Sequence, residues 1–94
     1  MFFSPPQRFG KSGLGPGCFS DPAGLGMDAL GNMVVADSRN HRLCVFSPQG
    51  KFLGQPKLPE VRRPSGLVLS HDTRELFVLN LSGQHALVKY KLNV

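Results

Sequence analysis

The chain has 94 residues, with 11 Lys+Arg against 6 Asp+Glu and a formal charge of +5. That length holds one small domain and excludes a large enzyme with an enclosed active site of its own. With 11 Gly and 8 Pro beside an apolar content of 40%, the composition is that of a turn-dense β-protein and not of a disordered chain.

Met1-Phe2-Phe3-Ser4-Pro5-Pro6 lacks the basic start and long apolar stretch of a secretory signal, and charges, Gly or Pro interrupt every apolar run before it reaches bilayer-spanning length. Phe3-Ser4-Pro5 echoes Phe46-Ser47-Pro48, and Arg8-Phe9 echoes Lys51-Phe52. Residues 1–18 are therefore expected to hold the last strand of a preceding repeat, followed by a connecting loop at Gly13-Leu14-Gly15-Pro16-Gly17. Residues 1–9 are also a candidate strand for the outer edge of another unit.

Residues 19–58 read as one complete repeat. Short runs rich in Val, Leu and Phe begin at Pro22, Met33, Leu43 and Lys51, separated by the turn clusters Asp28 to Asn32, Asp37 to His41 and Ser47 to Gly50. Such short connections demand antiparallel neighbours, so the unit is a four-stranded up-and-down meander. Residues 59–94 repeat it in divergent form: Pro22-Ala23-Gly24-Leu25 returns as Pro64-Ser65-Gly66-Leu67, Met33 to Asp37 as Leu76 to Asn80, and Leu43 to Phe46 as Leu87 to Tyr90. In the second and third runs, both sets of alternating residues are apolar, which places each sheet between other sheets. Four-stranded sheets stacked face to face, with a period of about 42 to 44 residues, describe blades of a β-propeller.

The segment Gly17-Cys18-Phe19-Ser20-Asp21-Pro22-Ala23-Gly24-Leu25, then Asp28 to Phe46 and Gly50-Lys51-Phe52, resembles the NHL repeat: a Pro-x-Gly strand, a Gly-Asn turn, a Val-Val-Ala-Asp strand, an Asn-x-Arg turn and a closing Val-Phe strand. The second unit departs from that pattern, with Asn80 in place of Asp37, His85 or Ala86 in place of the turn arginine, and Arg74-Glu75 in place of Gly31-Asn32. The resemblance implies an all-β, partial β-propeller: about two four-stranded antiparallel blades plus the last strand of a preceding one. It also implies kinship with the C-terminal interaction domains of tripartite-motif or malin-type ubiquitin ligases. Two isolated cysteines cannot supply a RING or B-box, so no ligase catalysis is expected within this chain.

Asp37, Asn40 and Arg42 are read as a structural turn, the carboxylate accepting nearby amides and pairing with Arg42 across the hairpin. His41, His71 and His85 are isolated turn histidines without the converging ligands of a metal centre, and no cofactor is expected. The Gly13–Gly17 loop opens no helix, so it is no phosphate cradle. Cys44 is expected inside a strand as an inert thiol, and Cys18 in an exposed loop. Strand counting puts the loop before the first strand and the turn after the second on one rim, bringing Arg39, His41 and Arg42 beside Arg62 and Arg63 as candidate binding residues. The expected function is a non-catalytic, cytoplasmic interaction module whose rim meets a protein partner, a substrate of a ubiquitin-ligase assembly. Binding of RNA by the basic rim is the alternative, a metal-requiring hydrolase or lyase the third reading, and self-association or further blades would cover the outer sheet faces.

Overall fold

Pro, Gly, Asn and Asp clusters cut the apolar runs into short strands, and the runs then pair in sequence order. The computed structural model describes residues 3–8, 10–12, 18–19, 21–56, 58, 60–70, 72 and 74–91. Two two-residue strands, β1 (Lys11–Ser12) and β2 (Cys18–Phe19), pair in parallel. The first antiparallel sheet follows in the order β3 (Pro22–Met27), β4 (Met33–Asp37), β5 (Arg42–Phe46) and β6 (Phe52–Gly54). The second has the order β7 (Pro64–Ser70), β8 (Glu75–Asn80) and β9 (Leu87–Lys91). No helix of the described residues is long and apolar enough to cross a membrane.

The repeat offset survives as geometry. Both first strands break register at the same place, between Pro22 and Gly24 and between Pro64 and Gly66, where the proline has no N–H to give the ladder. The Ser38 N–H donates to the Asp21 carbonyl (3.0 Å), and the Leu81 N–H donates to the Arg63 carbonyl (3.0 Å), one bond per unit at the matching corner.

Three details differ from the expectation. The second sheet has three strands among the described residues, not four. Residues 3–8 carry no strand; Pro5 and Pro6 offer no donors to a ladder, while Phe9 and Gly13 to Gly17 lie outside the described residues. Cys18 lies not in a loop but in β2, a ladder of two pairs and the one exception to antiparallel pairing among the described strands.

Alternation gives each sheet two apolar faces. Val34, Ala36 and Leu43 of the first sheet share a buried cluster with Leu76 and Val78 of the second, closed by Val61 from the connecting segment. On the other face of the first sheet, Phe46 packs edge-on against Phe52 and tilted against Phe19, with ring centroids 5.6 and 5.5 Å apart. Cys44 is fully buried on that face, and desolvation raises its thiol pKa, the nearby Arg42 only partly opposing the shift. Because the thiolate is the reactive form, Cys44 should resist iodoacetamide at pH 8 in the folded chain and label at least about 100-fold faster in urea. Peptide mass spectrometry of timed samples reads this directly, and equal rates in the two states would contradict the burial.

Candidate functional site

The two units meet at one corner, where the turn after β4 touches the segment leading into β7. Ser38–Asn40 form a single 3₁₀ turn, and His41 takes a left-handed conformation (φ 54°) that turns the chain back into β5. The turn is organised by Asp37, whose side chain is fully buried and accepts bonds through both oxygens. Oδ1 takes the Asp21 N–H (3.2 Å), while Oδ2 takes Asn40 Nδ2 (2.7 Å) and Arg42 Nε (3.0 Å). A carboxylate withdrawn from water needs this degree of satisfaction. The Arg42 side chain is only 10% exposed, and its Nη1 reaches Gln55 Oε1 (3.2 Å) beyond β6.

The second unit solves the same problem with a neutral group. Asn80 Oδ1 accepts the Arg62 N–H (3.0 Å), as Asp37 Oδ1 accepts that of Asp21. Its Nδ2 donates to the carbonyls of Glu60 (2.7 Å) and His85 (3.2 Å), so the amide supplies donors where the first unit has an acceptor facing Asn40 and Arg42. The second unit thus lacks both the carboxylate and the turn arginine that pairs with it in the first.

The remaining candidates surround this corner. His41 is exposed, and its Nδ1 accepts the Arg63 N–H (2.8 Å), a bond between the units that joins the two halves of the rim. Arg63 also sits at positive φ (46°). The Arg62 stem lies over Gly83, and its Nη1 bends back to the Val61 carbonyl (2.8 Å). Arg39 is exposed, and among the described residues neither its guanidinium nor that of Arg63 meets a carboxylate. The corner therefore brings His41 against Arg63, leaves Arg39 and Arg62 exposed on the turn and segment that meet there, and draws Arg42 inward. Gln55 was missed by sequence reasoning; nothing in its spacing marks it, because its role depends on where β6 ends.

Among the described residues no group of three His, Cys, Asp or Glu side chains converges as metal ligands. His71 lies outside those residues, and His85 contributes its carbonyl to Asn80. A cleft of about 550 Å³ between the sheets is lined by core side chains such as Val34, Leu43, Leu69 and Leu76.

Residues 19–46 match the family model described as NHL repeat. The chain is 42% identical over 45 residues to B-box type zinc finger protein ncl-1 of Caenorhabditis elegans, covering 48% of this chain and 5% of that protein. It is 26% identical over 88 residues to Protein brain tumor of Drosophila melanogaster, covering 88% of this chain and 8% of that protein. Against E3 ubiquitin-protein ligase TRIM71 of Rattus norvegicus it is 42% identical over 48 residues, covering 51% of this chain and 6% of that protein. The chain thus spans less than a tenth of the length of these relatives. Among solved structures, a streptogramin B lyase aligns at a TM-score of 0.46 and 16% identity, covering 76% of this chain and 26% of the other. The unit organised by Asp37 and Arg42 is thus the part of the chain that matches the NHL repeat.

Proposed function

We propose that this chain is a non-catalytic interaction module whose basic corner captures an acidic segment of a partner protein, in the setting of a ubiquitin-ligase assembly. The observation that supports this reading is the His41 to Arg63 bond, which sets the exposed Arg62-Arg63 pair against the turn that carries exposed Arg39, with Arg39 and Arg63 without carboxylate partners among the described residues. Cations held on short, hydrogen-bonded turns present a fixed pattern of charge, which favours orientation and rapid encounter with an acidic partner. Kinship with E3 ubiquitin-protein ligase TRIM71 supports the ligase setting, in which this domain would hold the substrate while other domains carry the chemistry.

The test is fluorescence anisotropy with a labelled Asp/Glu-rich peptide. Replacing Arg39 and Arg63 together by Glu should weaken binding about tenfold or more while leaving the far-UV circular dichroism unchanged, because both side chains are exposed. Arg42 is unsuitable as a probe, since reversing its charge would disrupt Asp37 as well. Unchanged peptide affinity in the double variant would reject the corner as the binding face. Tighter binding of a single-stranded RNA, with affinity falling steeply as salt rises, would replace the protein partner by RNA.

A further inference from the structure

The repeat has a structural corollary in the two outward sheet faces. Inside the chain, the first unit presents Gly24, Val34, Ala36 and Leu43 to the second, which answers with Leu67, Leu76 and Val78. By the repeat correspondence, Gly66, Phe77, Leu79 and Leu87 form the same face on the second unit. There it points outward: Leu79 is 51% and Leu87 58% exposed. Likewise Leu25, Met33 and Val35, the counterparts of Leu67, Leu76 and Val78, face outward from the first unit, where they line a shallow groove with Phe19 and Pro22. Each outward face is thus the repeat counterpart of one half of the interface already formed within the chain.

We propose that a second copy of this chain docks head to tail, its Leu25/Met33/Val35 groove seated on the Gly66/Leu79/Leu87 face of the first. The contact repeats the one between β3 and β7, and it is heterologous, so it leaves one free face of each kind at the ends and can propagate. The close approach of inner strands is prepared. A Cβ on Gly24 would lie 3.0 Å from Gly66 Cα, whereas a Cβ on Gly66 meets only the tip of Leu79 at 3.8 Å. Gly66 therefore keeps an open path for another strand that no described residue fills. Two positions depart from the internal interface. Val68 stands where Gly26 makes room for Leu67, so the incoming Leu25 must adopt a different rotamer, and Lys89 stands where Val45 does but is held by Glu75 (3.0 Å).

Size-exclusion chromatography with light scattering, over about 1 to 200 μM chain, reads the assembly. The expected mass rises from 10.2 kDa to multiples of it. Gly66→Val blocks one face and Leu25→Glu the other, and each alone should hold the mass at 10.2 kDa with unchanged circular dichroism, since Gly66 has space and Leu25 is 63% exposed. Mixing the two variants pairs the one intact face of each and should restore a heterodimer of about 20 kDa. A wild-type chain that stays at 10.2 kDa throughout, or variants that do not complement on mixing, would overturn the proposal.

Discussion

Asp37→Ala should destabilise the chain by about 3 to 5 kcal/mol, the usual consequence of removing one partner from a buried, hydrogen-bonded ion pair. The carboxylate satisfies the Asp21 N–H, Asn40 and Arg42 at once, and its side chain has no exposure to water. Its loss removes the ionic partner of a guanidinium that is only 10% exposed. For a domain this small, that is comparable to the whole stability, so the variant should be largely unfolded at 25 °C. The reciprocal change, Asn80→Asp, should cost about 2 to 4 kcal/mol, because a carboxylate oxygen would replace an amide that donates to the Glu60 and His85 carbonyls. No arginine stands at the matching turn position, which Ala86 occupies. Urea unfolding followed by far-UV circular dichroism, at one fixed protein concentration, measures both. In a double-mutant cycle, Asp37→Ala with Arg42→Ala should cost less than the sum of the single changes by about 1 to 3 kcal/mol. A loss below about 1 kcal/mol for Asp37→Ala would mean that water replaces the carboxylate at no great cost, contrary to the burial described.

The strands were legible because two signals coincide in them: runs such as Met33 to Asp37 are apolar, and each recurs at nearly constant spacing between turn residues. The Asp37 turn was legible for a local reason, since Asp37, Asn40 and Arg42 lie within one hairpin turn and their chemistry is complementary. What depends on separate segments meeting was not. The His41 to Arg63 bond joins residues whose juxtaposition follows from how one sheet leans on the next. The burial of Arg42 follows from where Gln55 arrives. Backbone conformation also hides behind side-chain identity: Arg74 adopts positive φ (55°) where its counterpart Gly31 does so (84°), so the turn is retained although its glycine signal is gone. Conversely, the change from Asp37 to Asn80 reads in sequence as a weakened contact, and in space it is a reversed set of donors.

Gly24→Ala carries the second large effect, an expected loss of about 1 to 3 kcal/mol from overpacking. A Cβ at this position would lie 3.0 Å from Gly66 Cα and 3.5 Å from the Leu67 nitrogen. Both are backbone atoms, so no rotamer change relieves the contact and the strands β3 and β7 must separate. Their separation would loosen the cluster of Ala36, Val61 and Val78 that lies beneath them. Gly66→Ala is the internal control. It sits at the same place in the repeat and in the same kind of strand, but within one chain its added methyl would meet only Leu79 at 3.8 Å, so at a concentration low enough to keep both variants monomeric it should change stability by less than about 0.5 kcal/mol or raise it slightly through the unfolded state. The two substitutions are identical in propensity and chemistry and differ only in whether a neighbouring strand is present. Equal urea midpoints for the two variants would show that glycine is retained here for strand conformation alone; a lower midpoint for Gly24→Ala assigns it to the approach of one repeat to the next.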